Sequence, residues 1–246
     1  MQIKRVMPKS NKIRWRRRVF VNLFSLVTKL EAILQEQDFK FSPEGYPIIP
    51  KENLISEVPE DIEMYPLSKR HQTPHPEHTI LCAYENDSEL YRFLRNFKRN
   101  IEDCRKYYGV CGFDLSPRAS TDESHQRFNL LLNALINAYM ALNGIHILPN
   151  WRTGNLNTLE ILNIYPVNSV FAVGCLGCGK RNFKENEIIL RMKLLISRPK
   201  FLIYYGSLRK RYRKILEEIG IPYRIILDYR TRSYRRTKDR KETKNV

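Results

Sequence analysis

Apolar residues in this chain follow two rhythms. Between about Gly109 and Asp228, short unbroken apolar runs alternate with stretches of helical period. The runs are GVCGFDLS, GIHILPNW, SVFAVGC, KFLIYYGS and PYRIILDY, and each ends abruptly in polar residues or glycine. Apolar runs separated by helix-length segments mark parallel strands joined by crossover helices. The pattern predicts strands at 110–115, 145–148, 170–173, 201–205 and 223–227. The first helix between them starts at the capping-box spacing Ser120-Thr-Asp-Glu123 and ends at Asn143-Gly144. Shorter helices are expected at about 158–164 and 184–197, and a last one runs from Ser207 to Gly220-Ile-Pro222. The predicted fold class is α/β, with about five mainly parallel strands and crossover helices in an open sheet or partial barrel. A closed eight-stranded barrel normally needs roughly 200 residues or more.

Upstream the rhythm is helical. Positions 20, 23, 24, 27, 30, 33 and 34 form one apolar stripe and predict an amphipathic helix over 19–37. Leu90, Phe93, Leu94, Phe97 and Ile101 form another, predicting a helix from Ser88 to Arg105 capped by Asn86 or Asp87. Seven of the thirteen prolines fall between Asp38 and Glu77. That spacing predicts an extended or looped segment, 38–86, crossing a surface rather than building a core. The expected organisation is a basic arm (1–18), the amphipathic helix, the proline-rich segment, an α/β domain (87–229) and a basic disordered tail (230–246).

Charge changes the picture once it is located. The formal net charge is +17. Residues 1–18 carry eight Lys or Arg and no acid, and residues 198–246 carry sixteen against five acids. The middle of the chain is close to neutral. Basic ends favour a polyanion, because each neutralised phosphate releases counterions. DNA or RNA is therefore the expected partner, held by Arg209, Lys210, Arg211, Arg213, Arg235 and Arg236, with Tyr212, Tyr229 and Tyr234 interleaved. Five cysteines, an odd number, do not read as a disulfide framework and fit a reducing, cytoplasmic setting. The basic run 12–18 before an apolar stretch looks like a signal peptide, but no small-residue cleavage site follows it. No other apolar run approaches the ~20 residues that span a bilayer, so no membrane is expected.

Candidate chemistry collects after the apolar runs. In a parallel sheet all strand carboxyl ends lie on one rim, where ligands bind. That rim would carry Asp114 and Ser116, then Asn150, Trp151 and Arg152, then Tyr205 and Gly206, and finally Asp228. Asp114 with Asn150 is the candidate catalytic pair, Arg152 and Lys180 the anion binders, and Trp151 a stacking surface. The loop Gly174-Cys-Leu-Gly-Cys-Gly-Lys-Arg181 could hold an anion on backbone amides, Lys180 and Arg181. It is not a P-loop, since Arg181 stands where a hydroxyl residue is needed. Its Cys175 and Cys178 are spaced for a metal or a redox pair, yet zinc needs two further ligands and no second such pair exists. His71, His75 and His78, with Cys82 nearby, are a second metal candidate. No metal is favoured, and no cofactor follows from the residues.

Several of these residues also occur together in a known family. Phe113-Asp-Leu-Ser116, Asp122, Asn133, Ala138-Tyr139 and Gly144-Ile-His-Ile-Leu-Pro-Asn150 carry the likeness. So do Asn168-Ser-Val170, Gly177-Cys178-x-Lys180 and Tyr205-Gly206. From about Glu89 to Asp228 the chain resembles domain-of-unknown-function family 4417. Ala134-Leu-Ile136 stands where relatives usually carry basic residues, and Trp151 comes slightly earlier than their tryptophan. The resemblance implies a phage, plasmid or other mobile-element setting and a preserved strand-end rim. The resulting expectation is a nucleic-acid-associated protein gripping phosphates with its basic termini. One alternative is an enzyme with its site at the strand carboxyl ends, acting on an anionic or nucleotide-like substrate. The other is a non-catalytic adaptor docking a protein partner through the N-terminal helix.

Overall fold

The computed structural model describes residues 22–118, 120–174 and 183–234, without the side chains of 183–185. The basic arm, Cys175, Cys178, Lys180, Arg181, Arg235 and Arg236 lie outside the described residues.

The described residues form seven strands: β1 (Glu63–Pro66), β2 (Thr79–Cys82), β3 (Gly109–Cys111), β4 (Ile147–Leu148), β5 (Val170–Gly174), β6 (Phe201–Tyr205) and β7 (Tyr223–Ile226). They form a four-stranded sheet ordered β1-β2-β3-β4 and a three-stranded sheet ordered β5-β6-β7, and every pairing is parallel. The sheets meet just beyond β4. Ala172 N–H donates to Pro149 O at 2.7 Å and Trp151 N–H to Ala172 O at 3.1 Å. Spatial order therefore follows chain order throughout, the topology of a (β/α) barrel.

Side-chain alternation shows the curl. Met64, Ile80, Cys82, Cys111, Leu148, Val170, Ala172, Ile203 and Tyr205 form one buried inner cluster. Their strand neighbours Tyr65, Leu81, Val110, Ile147, Phe171 and Leu202 belong to the outer cluster with the helices. Period two along each strand thus fills a lumen on one side and packs helices on the other. Across the lumen, Tyr84 after β2 stacks on Tyr205 of β6, with centroids 5.5 Å apart.

Among the described residues no strand lies between β7 and β1. Arg224 of β7 reaches the Val58 carbonyl at 3.4 Å. Arg232, in the helical turn after β7, donates to the Met64 carbonyl, pairs with Glu63 at 3.2 Å and lies 5.0 Å from the Tyr65 ring centroid. Two guanidinium groups thus satisfy carbonyls along an edge that an eighth strand would otherwise face.

The helices are α1 (Leu23–Glu36), α2 (Asp87–Arg95), α3 (Phe97–Cys104), α4 (Glu123–Leu142), α5 (Phe183–Ser197) and α6 (Lys210–Ile219). α1 starts at Asn22, whose side chain accepts from Ser25 N–H, and buries Val27, Leu30 and Leu34 while packing on α4. Part of its apolar stripe is thus occupied within the chain, while Phe24 stays 74% exposed with its ring 4.9 Å from that of Phe128. The helix expected over 88–105 is two helices broken at Asn96. α4 is capped by Asp122, whose side chain accepts from His125 N–H, rather than by Ser120. At α6 the cap position is Arg209, not Ser207. Residues 156–164 wind as a 3-10 helix.

The largest departure from expectation is the proline-rich segment. It supplies β1 and β2 and buries Tyr46, Ile49, Ile62, Met64, Tyr65 and Leu67. Pro66 ends edge strand β1, where a missing N–H costs least. Among the described residues no helix is long and apolar enough to cross a membrane.

Candidate functional site at the strand carboxyl ends

β3 is short because the chain leaves the sheet at Gly112. A side chain there would meet Asn137 and Asn150, at 3.0 and 3.1 Å from its Cβ. Residues 113–116 then run extended without a strand partner, and α4 supplies the missing hydrogen bonds. Asn137 accepts from Phe113 N–H at 2.7 Å. Asn133 accepts from Leu115 N–H at 2.9 Å and donates to Leu115 O at 3.0 Å. Asn129 donates to Ser116 O at 2.9 Å. Spaced four apart, the three asparagines share one helix face and form a ladder against the backbone.

That ladder positions Asp114, which is only 4% exposed. Asn150 donates from Nδ2 to Asp114 Oδ1 at 2.9 Å. Arg152 Nε lies 2.8 Å from the same oxygen, and its NH2 donates to Ser116 Oγ at 3.2 Å. Tyr84 donates from its hydroxyl to Asn150 Oδ1 at 3.1 Å, while Cys111 Sγ donates to the Tyr84 hydroxyl at 3.5 Å. Side chains from the ends of β2, β3 and β4 thus converge on one carboxylate. Behind them a cavity of about 20 Å³, lined by Asn133, Asn137, Asn150, Arg152 and Tyr165, has room for one water.

The electrostatics follow from burial. Desolvation pushes the Asp114 carboxyl up to about 6, against the opposing pull of Arg152 and the Asn150 hydrogen bond. Burial likewise raises Tyr84 and Cys111 well above their ordinary values and Cys82 to about 12. A carboxyl poised near neutrality can take up or release a proton, and the neighbouring guanidinium suits an anion.

The remaining candidates separate. Trp151 is 4% exposed, tilts on Phe171 and donates its indole N–H to Ser197 Oγ at 2.8 Å, so it is packed rather than offered for stacking. Tyr205 ends β6, and its hydroxyl accepts from Tyr229 N–H at 2.9 Å. Gly206 follows at φ 112°, open to glycine alone in practice. Asp228 is drawn up by partial burial, but bonds from the Thr231 N–H and hydroxyl dominate and hold it below its usual value. It caps the final turn and does not belong to the Asp114 group.

The histidines do not converge. His71 lies 3.9 Å from Asp103, His75 3.6 Å from Glu77 and His78 2.6 Å from Asp61. Each faces a different carboxylate, which corrects the reading of a shared metal site. Among the described residues no group of three or more His, Cys, Asp or Glu could hold a metal ion. Cys82, Cys104 and Cys111 are free thiols.

Arg209, Lys210, Arg211 and Arg213 are exposed at the start of α6. The loop from β6 is short, so they lie on the strand carboxyl side. Lys210, Arg211, Arg213 and Lys214 line an open groove of about 770 Å³.

Sequence reading missed Tyr84, because the proline-rich segment showed no strand before it. It also missed Lys193, which donates to Trp151 O at 2.7 Å from the outer helix layer. The Asn129–Asn133–Asn137 repeat was a usable signal, since three asparagines on one face of a buried helix require backbone partners.

Fold and site together define a parallel α/β protein with barrel-like strand order and a buried carboxylate-amide-guanidinium group at its strand carboxyl ends. The chain belongs to the family described as domain of unknown function (DUF4417), whose model matches residues 43–230. That span takes in β1 and β2 as well as the later repeat. No curated protein and no solved structure matches the chain.

Proposed function

We propose that this protein is an enzyme with its active site at the carboxyl ends of β2, β3 and β4, acting on an anionic, nucleotide-like substrate. The observation that supports it is the contact of Asn150 and Arg152 with the buried Asp114 carboxylate. Asp114 serves as general base or acid, Asn150 orients it, and Arg152 meets the substrate anion. A phosphate drawing the guanidinium away from Asp114 would raise the proton affinity of the carboxyl further, coupling binding to proton uptake. The test is thermal stabilisation by nucleoside phosphates against the same nucleosides without phosphate. Stabilisation confined to the phosphorylated members is expected, and D114N should retain it. If no phosphorylated ligand stabilises the protein, the reading fails.

A second reading is association with DNA or RNA through the basic termini, in the cytoplasm of a cell carrying a phage- or plasmid-type element. The exposed cations of α6 favour it, since Arg209, Lys210 and Arg213 form no ion pair among the described residues. Retention on immobilised DNA and RNA should fall steeply with salt. Absence of retention at low salt would remove this reading.

A further inference from the structure

The segment after β7 is held mainly by polar and aromatic contacts. Tyr229 donates its backbone N–H to the Tyr205 hydroxyl at 2.9 Å and its own hydroxyl to Gln72 Oε1 at 2.8 Å. Its ring tilts on Tyr65 with centroids 5.6 Å apart. Arg232 grips Glu63, the Met64 carbonyl and the Tyr65 ring, all on β1. Asp228 stabilises the turn by accepting from Thr231. None of residues 228–234 is fully buried. The segment occupies the place of an eighth strand but contributes little to the hydrophobic core.

Its contacts also lead inward. Tyr205, held by Tyr229, stacks on Tyr84, and the Tyr84 hydroxyl donates to Asn150, which donates to Asp114. Each link is a direct contact, so the segment is joined to the carboxylate by four successive interactions.

We propose that residues 228–234 form a releasable strap that completes the barrel in cis and sets the geometry of the Asp114 group through Tyr205 and Tyr84. With the strap seated, the Tyr205 hydroxyl is fixed and the tyrosine stack is clamped. With the strap released, β1 loses its edge cover, Tyr205 loses its donor, and Tyr84 is free to shift from Asn150. A segment held this way opens at lower free energy than the buried strands beside it. The inference rests on the strand-end reading for its functional meaning, while the coupling itself is structural.

Hydrogen exchange on the full chain tests it, comparing the protein with R232A and R232K. In R232A, exchange at 229–234, at β1, and at the backbone of Tyr84 and Asn150 should rise about tenfold, with β2 and β3 still protected. R232K, which keeps the charge without the planar fork, should fall between. A rise confined to the strap, or a uniform rise over all strands, would overturn the proposal. This outcome does not depend on any ligand, so it is separate from the phosphate-stabilisation test of the strand-end reading.

Discussion

Asn150 donates to Asp114 across the gap between the end of β4 and the extended chain after β3, at 2.9 Å. The carboxylate it contacts is almost fully buried, and burial outweighs Arg152 in setting its proton affinity. The folded protein therefore holds a proton on Asp114 at pH values where the unfolded chain has released it. The Asp114 carboxyl is raised from 3.8 to about 6. Its contribution to stability is fully present below pH ~4 and is lost as pH rises through ~6, by about 3 kcal/mol in all. D114N lacks a titrating group and should lack this slope. Urea unfolding of both proteins between pH 4 and pH 7 measures the difference, and parallel curves would refute the assigned burial.

The asparagine ladder makes a second prediction. N133A removes both partners of Leu115 and leaves a buried N–H and carbonyl unpaired. The cost should be about 2–4 kcal/mol, more than an exposed helix substitution allows. N133D retains an acceptor for Leu115 N–H but sets a carboxylate oxygen against Leu115 O, so it should not rescue. Chemical denaturation gives the ranking; equal stability of N133A and the parent would show that the 113–116 segment is held by something else.

Much of this architecture is readable in the chain, for a specific reason. β5 and β6 are apolar on both faces because one face fills the lumen and the other meets helices, so Val170–Gly174 and Phe201–Tyr205 stand out as runs. β1 and β2 have four residues each and lie among prolines and short 3-10 turns, so they lack the length that makes periodicity visible. Their burial comes from tertiary position instead. Asp114, Asn150 and Arg152 were legible because parallel strands place their carboxyl ends on one rim. Trp151 is placed at the rim by the same argument, but sequence does not show that its ring turns toward Phe171 and Ser197 and packs there instead of facing a ligand. Tyr84 was invisible because its role depends on Tyr205, far away in sequence and opposite in the lumen.

Charge at the barrel gap leads to a third prediction. Arg232 is 15% and Glu63 35% exposed at their side chains, so their pair is only partly screened. E63Q should cost less than R232A, because the amide still accepts one hydrogen bond while Arg232 keeps the Met64 carbonyl and the Tyr65 ring. Losses of about 1 and about 2 kcal/mol are expected. Equilibrium urea denaturation separates them; a reversed order would mean that the carboxylate, not the guanidinium, anchors the strap.

Gly174 provides the sharpest test of the curl. It ends β5 opposite Tyr205 in the register, and it carries no positive φ that would demand glycine. Its constraint is spatial: a Cβ there would lie 2.9 Å from the Tyr84 ring. Real Cβ atoms do not approach so closely, and the ring is pinned by its stack on Tyr205 and by its hydroxyl bond to Asn150. G174A should therefore cost about 1–3 kcal/mol through overpacking. Replacing the ring removes the obstacle, so G174A made in a Y84A background should cost much less than in the parent. A double-mutant cycle measured by urea denaturation gives the coupling directly. A coupling energy near zero would mean that β5 and the end of β2 are not packed across one lumen, and the tyrosine path from the strap to Asp114 would be broken at its centre.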